Sequence, residues 1–254
     1  MRIIRKQKKK ILQGPKMNKE IKQALSILYN SGKEIKTRKW QAVESPDIIL
    51  EVSNLFFTSP IPLSIPKLSK ETGADLPWSE DHFRERIGGS PLNPGDQYKN
   101  WPYYRASLDD KRFKSHQGDK FSHTYMERYW PPKEKKGIRY KNGDLRDIIQ
   151  RLEEDLYTRQ AYLSIWHPED QSNNEVRLPC TLGYWFNYRK SVLNCTYHIR
   201  SCDAIRHFRN DIYMTCRLVQ HIAEKLGVYP GKLSMWIGSF HVFKTEKWKI
   251  KEKD

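Results

Sequence analysis

Residues 178–211 read LPCTLGYWFNYRKSVLNCTYHIRSCDAIRHFRND. Two apolar-rich runs, 182–188 and 192–200, flank Arg189-Lys190-Ser191 and together make a β-hairpin pattern. A helix is expected next, over 211–226. There Ile212, Cys216, Val219, Ile222, Ala223 and Leu226 form one apolar stripe, which Gly227 closes. Pro230-Gly231 then turns the chain into a last apolar strand at 233–243. Strand, strand, helix and strand in this order make an α+β domain with a substantial sheet.

Upstream, the pattern is less regular. Residues 18–30 predict a short amphipathic helix, with Ile21, Ala24, Leu25 and Leu28 at helical spacing and Ser31-Gly32 as the stop. Residues 46–65 predict a strand running into a proline-punctuated extended segment. A helix is expected over 79–87, opening at Ser79 with Glu80 and Asp81 in its first turn. The stretch 88–143 is rich in Gly, Pro, Trp and Tyr with little periodicity, and such segments usually shape a site or an interface. A helix at 145–155 and a short strand at 161–166 complete the list, with no internal repeat. One domain over 18–254 is expected, preceded by an arm at 1–17.

Of 254 residues, 37% are hydrophobic, too many for a disordered chain. Lys and Arg number 46 against 30 Asp and Glu, a formal net charge of +16. Residues 1–40 hold 13 of the basic side chains and only Glu20 and Glu34, leaving +5 for the other 214 residues. The basic signal is therefore an N-terminal arm. It reads either as a solvated tail or as a weak contact to phosphates of nucleic acid. Cys180, Cys195, Cys202 and Cys216 contain no CxxC pair, so neither a disulfide scaffold nor a zinc site is expected, and reduced cytoplasmic thiols are the plain reading. No run approaches the ~18 apolar residues of a membrane span, and no apolar region follows the basic N-terminus as in a secretory signal.

Three local patterns stand out, and each has a bland reading. Leu178-Pro179-Cys180-Thr181 places a cysteine before an apolar strand, which by itself describes a buried core thiol. Arg200-Ser201-Cys202-Asp203 with Phe208-Arg209-Asn210-Asp211 suits a phosphate at a helix start, or an ordinary helix cap with surface charges. Gly238-Ser239-Phe240-His241-Val242-Phe243 interrupts an apolar strand with a histidine, as satisfied core histidines do.

Together, Cys180, Arg200-Ser201-x-Asp203, Asp211 and Gly238-x-x-His241 resemble the thymidylate synthase superfamily, and within it the phage-type deoxycytidylate hydroxymethylases. The intervals from Cys180 to Arg200 (20 residues) and from Arg200 to Asp211 (11 residues) match that family. Looser similarity runs through Arg159-x-x-x-x-Ser164-x-Trp166, Tyr125 and Glu80, so the resemblance covers residues 36–243. It implies a thymidylate synthase-like α+β fold with a large mixed sheet, packed helices and a homodimer formed through the sheet.

The implied chemistry has a physical logic. C5 of a pyrimidine is a poor nucleophile until a thiolate adds at C6 and makes C5 enamine-like, able to attack a one-carbon donor. The resemblance makes Cys180 that thiol, Glu80 a general acid/base, and Arg200 with Ser201 a phosphate cradle. Tyr125 and His241 are implied as further substrate contacts. Arg159 would reach the partner's phosphate across the dimer, and Arg38, in Lys36-Thr37-Arg38-Lys39, would serve as a phosphate-loop arginine. The implied donor is methylenetetrahydrofolate, with Asp203 holding its pterin.

Asp211 stands where uracil-reading members carry Asn, and a carboxylate suits the cytosine amino group together with a protonated N3. Thr181 points the same way, since synthases have His there. A cytidine monophosphate nucleotide, dCMP or CMP, is therefore the expected substrate and 5-hydroxymethyl-(d)CMP the expected product. In a hydroxymethylase water attacks the exocyclic methylene, whereas in a synthase hydride delivery leaves a methyl group. Methylation of dCMP or dUMP and a non-catalytic nucleotide- or nucleic-acid-binding protein are the alternatives. Gln160 in place of an arginine and Phe243 in place of a tyrosine depart from the family pattern.

Overall fold

The computed structural model describes residues 16–40, 43–104, 120–130, 144–172 and 177–251. The basic arm, except for Lys16 and Met17, lies outside the described residues, as do 105–119 and 131–143 of the aperiodic segment.

The hairpin expected from sequence forms as β4 (Thr181–Arg189) and β5 (Val192–Asp203), antiparallel, with Lys190 and Ser191 at positive φ in the turn. Along β5 the period is two. Leu193, Cys195, Tyr197 and Ile199 are buried, and the residues between them face outward. The next helix, α6 (Phe208–Lys225), starts three residues before the predicted position, and its buried residues extend well beyond one stripe. It crosses over to β6 (Tyr229–Phe243), which runs parallel to β5.

Around this unit the sheet grows to six strands in the order β1-β2-β6-β5-β4-β3. β2 (Val43–Pro60) is antiparallel to β6, β1 (Lys33–Trp40) edges β2, and β3 (Tyr162–Ser164) edges β4. β1 escaped the sequence reading because KEIKTRKW is mostly charged, a composition that suits an edge strand.

The helix α1 (Met17–Ser31) buries Met17, Ile21, Ala24, Leu25 and Leu28 beside β2. α2 (Ile65–Thr72) also went unread; its proline falls in the first turn, where the missing N–H costs no hydrogen bond. α3 (Trp78–Arg86), α4 (Tyr125–Tyr129) and α5 (Leu145–Glu154) complete the described helices. Asp144 caps α5 by accepting from the amides of Arg146 and Asp147. Among the described residues no helix is long and apolar enough to cross a membrane.

The core lies between α6 and one face of the sheet. Phe208 meets Phe57 edge-on at 5.8 Å and Phe240 at 4.7 Å, fastening the helix start to β2 and β6. The opposite face is only partly covered. Phe56 is 77% exposed there, in register with Trp236, which in turn pairs with His198. Ile222→Ala, in the fully buried stripe of α6, should lower unfolding stability by about 2–5 kcal/mol. Glu224→Ala, exposed two residues further on the opposite side of the helix, should change it by less than about 0.5 kcal/mol. Urea denaturation of both variants checks the assignment, and equal losses would contradict it.

Candidate active site

Cys180 sits immediately before β4, at a place where the β4–β5 register slips between Thr181 and Gly183. Its carbonyl accepts the Arg200 amide at 2.9 Å. The Arg200 guanidinium reaches back and donates to Pro179 O (2.8 Å) and Leu178 O (3.1 Å). Three bonds from one residue of β5 thus fix the segment that carries the thiol. Cys180 is partly exposed, whereas Cys195, Cys202 and Cys216 are buried. Burial pushes those three thiols far above their usual range, leaving them unreactive.

Two cavities meet at this thiol, and Cys180, Ser201 and His207 line both. The first is a cleft open at its mouth and walled mainly by aromatic and polar side chains. Helix α3 presents Trp78, His82 and Arg86 to it, at i, i+4 and i+8. Helix α6 presents Asp211 and Met214, and Tyr98, Trp101, Phe121, His123, Tyr125 and Arg177 contribute from the loops and α4. Trp101 lies parallel to His207 at 5.7 Å, and Trp78 stacks on His82 at 5.3 Å, so the walls are flat and aromatic.

Asp211 has its carboxyl pushed up to about 7 by burial, which the Arg86 and Arg177 cations offset only in part. Its neighbour Asn210 is committed elsewhere. The Asn210 carbonyl accepts the Asp75 amide (2.9 Å) and the Ser79 hydroxyl (2.8 Å), and its amide donates to Asp75 Oδ2 and Arg206 O. In the Asn-Asp pair, therefore, the aspartate faces the cavity and the asparagine latches α6 to the α2–α3 region. Behind Cys180 runs a line of hydroxyls. Tyr125 Oη lies 3.0 Å from Thr181 Oγ1, which is 2.8 Å from Tyr197 Oη. Burial raises the Tyr125 hydroxyl to about 12, and the Arg86 guanidinium rests over its ring at 4.2 Å.

The second cavity is polar. The parallel β5–β6 register sets Ser201 beside Ser239 and Asp203 beside His241, and all four line it with Arg200, Thr37 and Glu51. Glu51 pairs across strands with His241 and accepts the Ser239 hydroxyl. Burial lowers the His241 ring in spite of nearby Asp203.

Not every expected residue falls in these cavities. Glu80, expected as the acid/base, does not line either one. It lies on another side of α3, where its oxygens accept from Arg217 (2.8 and 3.1 Å), Tyr213 (2.9 Å) and Arg84 (3.1 Å). Burial alone would raise this carboxyl, but the Arg217 bonds hold it below the usual range. These bonds tie α3 to α6.

Asp203, expected at a pterin, is first a cap. Oδ1 accepts the amides of Ile205 and Arg206, and Oδ2 pairs with the Arg206 guanidinium at 3.0 Å, so three of its four acceptor positions are occupied. Arg38 is exposed on β1 and lines neither cavity, although its neighbour Thr37 lines the second. Arg159 is exposed just before β3. Arg200, Ser201, His241, Tyr125, Cys180 and Asp211 do converge. The reading missed Trp78, His82 and Arg86, which their four-residue spacing would have revealed, and Arg177, His123 and His207, for which the sequence carries no periodic signal. Among the described residues no group of three or more His, Cys, Asp or Glu side chains is arranged to hold a metal ion.

The geometry agrees with comparisons to known proteins. A putative thymidylate synthase of Methanosarcina mazei is 25% identical over 224 residues, 86% of this chain and 82% of that protein. A thymidylate synthase of Malacoplasma penetrans is 25% identical over 169 residues, covering 63% of this chain and 55% of its own length. A putative thymidylate synthase of Methanococcoides burtonii is 27% identical over 122 residues, 46% of this chain and 55% of that protein. The thymidylate synthase family profile matches residues 95–253, a span that holds Cys180, Arg200 and Asp211 but begins after Arg38 and Glu80. With well over half of its length matched, and the cysteine, arginine and aspartate of the site inside the match, the chain belongs to the thymidylate synthase family.

Proposed function

We propose that the chain transfers a one-carbon unit from methylenetetrahydrofolate to C5 of a cytidine monophosphate nucleotide and releases the 5-hydroxymethyl product. One observation carries this reading: the least buried thiol of the chain and a half-neutral carboxyl face the same cavity, which opens at the thiol onto a second, phosphate-suited one. Methylenetetrahydrofolate is the one-carbon donor of the family. The aromatic walls at Trp78, Trp101 and His207 fit a flat heterocycle. Asp203 could add at most one hydrogen bond, on the side of the second cavity.

In this mechanism Cys180 Sγ bonds to C6 of the base, and the C5=C6 electron pair moves to C5. Ser201 and the free donors of Arg200 hold the phosphate in the second cavity, with His241 beside the sugar. Asp211 reads the base edge. As a neutral acid it donates to cytosine N3 while its carbonyl accepts from the N4 amino group. As a carboxylate it requires N3 to carry the proton instead. Either way the pair holds one proton. Tyr125, its hydroxyl backed by those of the buried Thr181 and Tyr197, can order the water whose oxygen enters the product.

Incubating the protein with methylenetetrahydrofolate and dCMP, CMP or dUMP, followed by mass spectrometry, tests the reading. A gain of CH₂O on a cytosine nucleotide is expected, abolished in Cys180→Ala. A gain of CH₂ would mean methylation instead, and no gain with any nucleotide would favour a binding protein.

The Asp211 carboxyl is raised to about 7, so its neutral form prevails below that pH and is lost above it. Affinity for dCMP should accordingly fall by up to about tenfold per pH unit above 7. Asp211→Asn should flatten that slope and turn preference toward dUMP. Titration calorimetry from pH 6 to 9 checks both, and an unchanged profile in the variant would remove the base-reading role.

The partly covered sheet face supports a homodimer in which Arg159 reaches the partner's phosphate. Phe56→Glu, at the most exposed aromatic of that face, should give a monomer in light scattering and reduce turnover together with it.

A further inference from the structure

Helix α3 was expected to bring a carboxylate to the chemistry, and it brings a histidine instead. His82 lines the first cavity with Cys180 and Asp211. Its Nδ1 lies 3.0 Å from Glu85 Oε2, one turn along the same helix. The other oxygen of Glu85 accepts the amide of Gln97, which fixes the carboxylate in the loop that follows. Trp78 stacks against the face of the imidazole with ring planes 21° apart. The ring is thus held from two sides, with both holding groups on its own helix.

Two other histidines line this cavity. His123 bonds through Nδ1 to the Ser122 hydroxyl (3.2 Å), and His207 stacks on Trp101. Among the described residues His82 is the cavity histidine hydrogen-bonded to a carboxylate. An acceptor at Nδ1 places the ring proton there and leaves the lone pair on Nε2, the tautomer a general base needs. Burial and the Arg86 cation lower its pKa to about 4, against the pull of Glu85. The imidazole is therefore neutral at pH 7.

We propose that His82 is the base that removes the C5 proton of the nucleotide in the Cys180 adduct, with Glu85 as the positioning residue that sets its tautomer. The step can be written without the one-carbon donor. Cys180 Sγ bonds to C6 and C5 takes a proton from water. His82 Nε2 then accepts the hydrogen originally on C5. The electron pair of that C–H bond restores C5=C6, the S–C6 bond breaks back to thiolate, and His82 returns its proton to solvent. The net change is exchange of the C5 hydrogen with water.

The proposal rests on the C5 chemistry proposed above, and one assay separates the two. Tritium release from [5-³H]dCMP is measured for the wild-type chain and for His82→Gln and His82→Ala, with dCMP affinity measured alongside. Release should fall about 10²–10⁴-fold in both variants, while affinity stays within about threefold. Added imidazole should restore release in His82→Ala, where the side-chain space is open. Undiminished release in the variants would overturn the role of His82, as would imidazole failing to restore any release to a variant that still binds dCMP. No release from the wild-type chain would instead overturn the underlying C5 chemistry. Glu85→Gln should slow release less than His82→Ala and shift its pH profile; an unchanged profile would remove the positioning role.

Discussion

The site depends on how Arg200 is used. A guanidinium has five donors, and here two of them, together with the residue's own amide, are spent on the backbone of Leu178, Pro179 and Cys180. The thiol precedes a strand whose register slips at its first residues, so the ladder alone would leave it loosely placed. The arginine supplies the missing restraint while also lining the second cavity. Trp166 closes the arrangement from the side, with the guanidinium 5.7 Å from its ring centroid. One side chain thereby joins the two cavities mechanically as well as electrostatically.

The topology explains why the second cavity is polar although it lies at the end of an apolar sheet. The α6 crossover makes β5 and β6 parallel, so their C-terminal ends fall side by side and Ser201, Asp203, Ser239 and His241 become neighbours. Open sheets commonly place ligands at such strand ends. β2 adds Glu51 to the row by pairing antiparallel with β6. The buried Phe243 offers no hydroxyl, and Glu51, Asp203, Ser201 and Ser239 are the acceptors of that row.

The sequence revealed the C-terminal half of the fold because there the local signals agree. Period-two burial in β5, an apolar stripe in α6 and turn residues between them all indicate the same structure. It concealed β1, whose charged composition reflects a solvent-facing edge, and α2, whose proline belongs to a helix start although it reads as extended chain. In the site, residues that carry a family spacing were readable and residues without one were not. Cys180, Arg200 and Asp211 lie on one hairpin-helix unit. Arg177 and His207 lie on or beside the same unit but carry no spacing signal, and His123 joins them only through tertiary packing. Glu80 and His82 differ by about 200° of helical rotation, so the residue expected from the resemblance binds Arg217 while the one two positions on faces the cavity.

The Asn210 latch has an evolutionary consequence. The side-chain hydrogen bonds that tie the start of α6 to Asp75 and Ser79 belong to residue 210, and the proposed base reader is residue 211. Anchorage and recognition are thus assigned to separate codons. If residue 211 reads the base as proposed, a lineage could exchange amide for carboxyl there, and so change which nucleobase it accepts, without touching the Asn210 latch. Scaffolds divided in this way can diversify their chemistry by single mutational steps.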